Sequence, residues 1–258
     1  MKLIKIDDLQ SPTLEIYKTL RDNRLGKENF FIADSPKVVN TLLQTDIEFK
    51  SILATKEYYE KFADLIEPKK IPTLYVAAKE LMEKIVGHKI HHNVMACGVR
   101  KQQSKVDELG DQIVMLDAVT STQNVGSIAR STAAMGVDSL ILSTRSPHPY
   151  ARRALRVSMG HISKLKYSYY EDIFSMIEEL KQRGYRVYGA EVTQCATALA
   201  KVKVAPKWVL LMGSEGEGLS QKIIESCDEI VTIEMAKGVR SLNVAVASSI
   251  LIYKFQNP

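Results

Sequence analysis

The chain has 258 residues, 45% of them hydrophobic and 25% charged, with a formal net charge of +5. Such a composition builds a core without staples, and the length allows one large domain or two small ones. It contains no apolar run approaching a bilayer span, and Cys97, Cys195 and Cys227 are too widely spaced for a zinc site or a disulfide framework. Residues 1–9 mix Lys2, Lys5, Asp7 and Asp8 into their apolar positions, unlike a signal peptide. The expectation is a cytoplasmic protein with no membrane segment, no metal, and reduced, mostly buried thiols.

In the first half, helical patterns at 12–23, 35–44, 56–66 and 78–85 alternate with strand-like runs at 30–33, 49–54, 73–76 and 94–99. This predicts a small α/β domain over 1–105, closed by the basic linker Arg100-Lys101-Gln102-Gln103-Ser104-Lys105. The second half, 106–258, opens on an apolar strand at 112–119. A helix at 124–135, a strand at 139–142, a helix at 150–159 and a strand at 165–169 follow. Next come a helix at 171–183 that stops at Gly184, strands at 185–190 and 208–212, a short helix at 221–227, a strand at 229–235 and a helix at 241–255. Strict alternation predicts a parallel sheet covered on both faces, with ligands bound beyond the carboxyl ends of its strands.

Three segments fall at such strand ends. The first runs from Asp117 to Arg130; Asn124 suits a helix cap, and Gly126 permits close approach to a ligand. Arg130 lies on an otherwise small, apolar helix, so it is either paired with a carboxylate or directed into a site. The second is Met212-Gly213-Ser214-Glu215-Gly216-Glu217-Gly218-Leu219-Ser220. Its glycines allow tight turning, while Glu215 and Glu217 are unsuited to phosphate. It matches neither common nucleotide motif and fits a hydroxyl-rich or cationic ligand, or else a plain strand-to-helix turn. The third runs from Ile233 to Ser249, with Ser241 and Asn243 at the mouth of an apolar helix; Ser241 is either an N-cap or a site residue.

Charge is unevenly distributed. Between Asp138 and Glu171 there is no acidic residue, whereas Arg145, Arg152, Arg153, Arg156, Lys164 and Lys166 all occur there. Tyr150, Tyr167, Tyr169 and Tyr170 are interleaved with them. The interval is either a phosphate-binding surface with stacking aromatics or a solvated basic face.

Taken together, Asn124-x-Gly126-x-x-x-Arg130, Gly213-x-Glu215-x-x-Gly218 and Ser241-Leu242-Asn243 resemble the three-motif signature of the SpoU (TrmH-like) RNA ribose 2′-O-methyltransferases of the SPOUT superfamily. The likeness runs from Gln112 to the C-terminus and includes Ser158-Met159-Gly160. Less sharply, the first half resembles the small L30e-like substrate-binding domain of many members, with His91-His92-Asn93-Val94-Met95-Ala96 as the strand before the linker. The resemblance implies a C-terminal domain tied in a trefoil knot and a homodimer formed through it. It also implies S-adenosylmethionine as cofactor and RNA as substrate, ribosomal RNA ahead of transfer RNA. By the same resemblance Asn124, Arg130, Glu215, Ser241 and Asn243 carry catalysis, and Gly213, Ile233, Met235 and Leu242 hold the cofactor. Arg145, Arg152, Arg153, Arg156 and Lys164 are the expected RNA contacts. One departure is Glu234, where members commonly have proline; its loss loosens the cofactor loop. The competing expectation is a catalytically inactive RNA-binding factor on the same fold, against which the intact Asn124, Arg130, Glu215 and Asn243 weigh.

Overall fold

The structure, a computed structural model, describes residues 1–8, 14–18, 29–86 and 93–258. The expected helix at 12–23 lies partly, and His91 and His92 wholly, outside the described residues. In chain order the first elements are β1 (Lys2–Lys5), α1 (Glu15–Lys18), β2 (Phe30–Asp34), α2 (Pro36–Leu43), β3 (Phe49–Ala54), α3 (Lys56–Ile66), β4 (Thr73–Val76), α4 (Lys79–Val86) and β5 (Val94–Val99). There follow β6 (Gln112–Leu116), α5 (Thr122–Ala134), β7 (Ser139–Ser143), α6 (Arg152–Val157), β8 (Lys166–Tyr170), α7 (Ile173–Gln182) and β9 (Arg186–Ala190). The last are β10 (Thr197–Ala198), β11 (Trp208–Met212), α8 (Gln221–Ser226), β12 (Glu229–Thr232) and α9 (Val244–Gln256).

These elements form two compact units, Met1–Gln102 with Tyr150–Ser163, and Gln103–Pro149 with Lys164–Pro258. The first holds a mixed sheet of order β1-β4-β3-β5-β2, antiparallel where β5 meets β3 and β2. Its helices begin where the sequence supplies caps. Ser35 Oγ accepts from Val38 N (3.5 Å), with Pro36 opening α2, and Thr55 Oγ1 accepts from Tyr58 N (3.2 Å) at α3. The sequence expectation keeps Tyr150–Ser163 with the second half, yet the segment clusters with the first unit. Two contacts explain this: Tyr150 is buried with its ring 5.2 Å from that of Phe31, and Gly160 (φ +80°) lies so close to Val38 O that a Cβ would come within 3.1 Å of it.

The second unit is built on a seven-stranded sheet, β10-β12-β9-β11-β6-β7-β8, in which every pairing is parallel. Strand side chains alternate between its two faces. Ile113, Met115, Val209 and Leu211 pack with Met176, Ile177 and Leu180 of α7. Trp208, alternate to Val209, points the other way and meets Phe255 of α9 edge-on (5.1 Å). Burial on both faces explains why these strands read as continuous apolar runs. The register matches Leu116 with Met212, Met212 with Ala190, and Ala190 with Val231. The carboxyl ends of β6, β11, β9 and β12 therefore lie along one edge, and the loops leaving them gather there.

Two expected helix starts move. α5 begins at Thr122 with Ser121, not Asn124, as cap, and α9 begins at Val244 with Asn243, not Ser241, as cap. The thiols also differ from expectation: Cys97 is buried and Cys195 exposed, while half-buried Cys227 has its thiol pushed up to about 12 by burial.

Candidate active site

The three strand-end segments meet through one chain of hydrogen bonds. Ser121 Oγ accepts from Asn124 N (3.3 Å), which starts α5 and places Asn124 in its first turn. Glu215, from the loop after β11, accepts from Asn124 Nδ2 (2.9 Å) and from the backbone N–H groups of Ser121 (3.2 Å) and Thr120 (3.4 Å). Asn243 Nδ2 donates in turn to Asn124 Oδ1 (3.2 Å), while its own Oδ1 caps α9 by accepting from Ala245 N (3.0 Å) and Val246 N (3.3 Å). Deeper along the helix pair, the hydroxyls of Ser131 and Ser249 are 2.7 Å apart. Partial burial pushes the Glu215 carboxyl up, but the bonds from Asn124 and from backbone N–H groups outweigh it and hold the pKa below the ordinary value.

Beside this chain lies a cavity of about 440 Å³. Gly213, Ile233, Met235 and Leu242, the expected cofactor residues, all line it, together with Glu215, Ser241 and Asn243. Val244, Ala247 and Leu251 supply an apolar wall. A Cβ at Gly213 would come within 2.5 Å of the Gly218 backbone, so only glycine lets the loop fold back this closely. Gly218 is left-handed (φ +66°) and donates to Ser214 O (3.2 Å), closing the turn. Sequence reasoning missed Glu191, which lines the cavity directly after β9; its position at a strand end was the available signal. Sequence reasoning also assigned no role to the side chain of Asp117, which directly follows β6, is buried, accepts from the Tyr170 hydroxyl (2.9 Å) and pairs with Arg145 (3.5 Å). Burial, and then the Asp117 charge, raise the Tyr170 hydroxyl far above its usual range.

Arg130 is exposed on α5, forms no ion pair among the described residues and is not among the residues that line the cavity. The basic interval divides. Arg145 and Lys164 are exposed in the second unit, and Arg153 is exposed in the first. Arg152 and Arg156 instead converge on the buried carboxylate of Asp34, with Nε–O distances of 3.0 and 3.2 Å. Burial pushes the Asp34 carboxyl up; the two guanidinium groups more than reverse this and hold it below the ordinary value. These two arginines therefore anchor residues 150–163 within the first unit and are poorly placed as free RNA contacts. Tyr150, Tyr167 and Tyr170 are buried, so the expected stacking aromatics are core residues, with Tyr169 half-exposed. Among the described residues no cluster of His, Cys, Asp or Glu could hold a metal ion, and no helix is long and apolar enough to cross a membrane.

A parallel α/β sheet with a glycine-walled cavity beyond its strand ends has the architecture in which small-molecule sites are commonly built on loops. The sequence profile of the SpoU rRNA Methylase family matches residues 111–253, and the chain belongs to this SpoU (TrmH-like) family of RNA methyltransferases. An uncharacterised tRNA/rRNA methyltransferase of Mycobacterium tuberculosis is 28% identical over 263 residues, covering 96% of this chain and 89% of its own. In fold, the chain is similar to the AdoMet-bound rRNA methyltransferase of Sinorhizobium meliloti (TM-score 0.84, 20% identity, 99% of this chain and 98% of that one). It is also similar to a solved RNA 2′-O ribose methyltransferase (TM-score 0.77, 17% identity, 99% and 98%).

Proposed function

We propose that this chain is an S-adenosylmethionine-dependent enzyme that methylates a ribose 2′-hydroxyl in structured RNA, ribosomal RNA ahead of transfer RNA. The observation that carries the reading is the hydrogen-bond chain Glu215–Asn124–Asn243 at the lip of the cavity lined by Gly213, Ile233, Met235 and Leu242. The cavity fits the cofactor in three respects. Its volume is within the roughly 300–1,000 Å³ of small-molecule sites. Its wall combines apolar side chains with a glycine turn. Its charged lining residues are the carboxylates Glu191, Glu215 and Glu217, which suit a cationic ligand and not a polyphosphate. When bound, S-adenosylmethionine supplies an electrophilic methyl group on a sulfonium.

The chain's own residues do the rest. A guanidinium is protonated at any ordinary pH, so Arg130 acts by charge: it stabilises the 2′-oxygen as negative charge develops, or fixes the adjacent phosphate. Glu215 orients Asn124, and Asn243 ties Asn124 to the start of α9. Ser241, at the cavity wall, is available to donate to a ligand. Exposed Arg145, Arg153 and Lys164 are the cations we assign to RNA phosphates.

The same reading includes a knotted C-terminal part. Its support is the match of residues 111–253 to the SpoU family. It includes a homodimer through the C-terminal domain, supported by Val246, Ile250 and Tyr253 of α9, exposed at 50%, 39% and 64%. Their spacing makes one apolar stripe, which a second copy would cover. We assign 1–105 to an L30e-like RNA-binding domain and 106–258 to the methyltransferase domain, in a cytoplasmic protein, with Tyr150–Ser163 of the latter belonging to the first compact unit; the resemblance of 1–105 to the ribosomal L30e fold favours ribosomal RNA. The test is a map of ribose methylation in total RNA from cells lacking the gene. Loss of a 2′-O-methyl mark, restored by the unmodified gene and not by Arg130→Ala, is expected. A lost mark in transfer RNA would move the substrate, and no lost ribose mark would overturn the ribose assignment.

A further inference from the structure

We infer that Glu191 shapes the glycine loop of this cavity and makes the cavity select a cationic sulfonium nucleoside over the neutral thioether formed from it. The inference about charge rests on the cofactor reading above; the inference about shape does not.

The backbone of Glu191 is fixed first. It directly follows β9, and its N–H donates to Val231 O of β12 (3.1 Å). From there its side chain reaches the far end of the glycine loop, where Oε2 accepts from Leu219 N (2.8 Å), while Oε1 accepts from Val192 N (2.9 Å). Leu219 is itself buried against the α7 side of the sheet, so this bond joins the loop's exit to both the core and β9. The space beside Gly218 is filled by the same carboxylate, since a Cβ there would sit 2.1 Å from Glu191 Oε2. At the loop's entrance Gly213 lies against the Gly218 backbone. The path from Gly213 to Leu219 is therefore set by two packing constraints, and Glu191 supplies one of them.

Its chemistry matters as well as its shape. A carboxylate accepts at both oxygens, whereas the isosteric amide accepts at only one and turns an N–H toward the other donor. Glu191, Glu215 and Glu217 line the cavity, and its lining contains no lysine or arginine. Glu215 is held by Thr120, Ser121 and Asn124, and Glu191 by Val192 and Leu219, so both carboxylates are fixed in the wall. A wall of one sign favours a ligand of the opposite sign. Methyl transfer removes the positive charge from the sulfur, so the same wall holds the product less well than the donor.

The experiment compares the unmodified protein with Glu191→Gln, Glu191→Ala and Glu191→Asp. Amide hydrogen exchange over residues 213–219 is measured without ligand, and calorimetric titrations use S-adenosylmethionine and S-adenosylhomocysteine. Thermal melts identify any variant that fails to fold. Loss of a typical hydrogen bond should speed Leu219 exchange about fivefold to tenfold in Glu191→Ala. Glu191→Gln should reduce the preference for the sulfonium over the thioether about fivefold, and Glu191→Asp, which keeps the charge, should retain most of it. Unchanged exchange in Glu191→Ala overturns the shaping role. An equal loss of affinity for both ligands in Glu191→Gln, or none, overturns the charge role. If the unmodified protein binds neither ligand, the cofactor reading and the charge role fall together, and the exchange data alone decide the shaping role.

Discussion

Replacing Glu215 with alanine removes the group on which the meeting of the three loops depends. Three donors lose their acceptor: Asn124 Nδ2 at 2.9 Å, Ser121 N at 3.2 Å and Thr120 N at 3.4 Å. A hydrogen bond to a charged group contributes about 1.5–3 kcal/mol when buried. Glu215 is exposed, water replaces it at each donor, and the two backbone bonds are long, so about 2 kcal/mol is expected for the set. Global stability should change little, because the loop end is solvated. The cost should appear where Asn124 must be held still: about 2 kcal/mol in the transition state is roughly a thirtyfold loss of rate. Glu215→Gln, which keeps one acceptor, should fall between. The pH dependence has a definite sign. The folded-state pKa is depressed, so the bonds are fully present above the usual carboxylate range and are lost as pH falls through the lower folded value. Glu215 should therefore give no acidic limb near neutrality. Single-turnover methyl transfer, with folding checked by circular dichroism, measures the effect. A rate within twofold of the unmodified protein would refute the organising role.

Arg130→Ala should lower single-turnover rate by about 10²–10³, as loss of one oxyanion-type donor does, with cofactor affinity little changed. Arg130→Lys should recover only part of it, because lysine lacks the planar fork; near-normal turnover in Arg130→Ala would remove the catalytic role. Asp34→Asn should destabilise the first unit by about 2–4 kcal/mol in urea denaturation, the lower end reflecting half-exposed Arg156. That stability is present above the unfolded carboxylate pKa and lost as pH falls through the depressed folded value, so a flat acid profile would contradict the pair. Alanine at Arg145 and Lys164 should flatten the slope of log RNA affinity against log salt by about 0.7–0.9 per contact. Alanine at Arg152 and Arg156 should instead act mainly through stability. Val246→Asp on the α9 stripe should shift the mass seen by light scattering from two chains to one, and a monomeric unmodified protein would refute the dimer.

The legibility of this chain followed its physics. The apolar runs at 208–212 and 49–54 are strands with the bounds their sequence suggests, because burial on both faces leaves no ambiguity of period. β1, with three of its four residues exposed, and the two-residue β10 carry no such signal. Helix starts shifted by two or three residues where several polar side chains competed for the cap, as Ser121 did with Asn124 and Asn243 with Ser241. The meeting of the three loops was legible because parallel strands bring their carboxyl ends, and the loops that leave them, to one edge. Asp34, Asp117 and Glu191 were not, since each matters through a partner far away in sequence: Arg152 and Arg156, Tyr170, and Leu219. The basic interval misled for the same reason. Composition shows that arginines are present, but only the fold shows that two of them are consumed by one buried aspartate.

The proposed reaction transfers a methyl group to a ribose oxygen. Its most direct test is incubation of the purified protein with isotopically labelled S-adenosylmethionine and total RNA, followed by digestion to nucleosides and separation by mass. Label is expected in a 2′-O-methylated nucleoside, reduced about 10²–10³-fold in rate with Arg130→Ala and about thirtyfold with Glu215→Ala. Label in a base-methylated nucleoside, or equal labelling by Arg130→Ala, would contradict it.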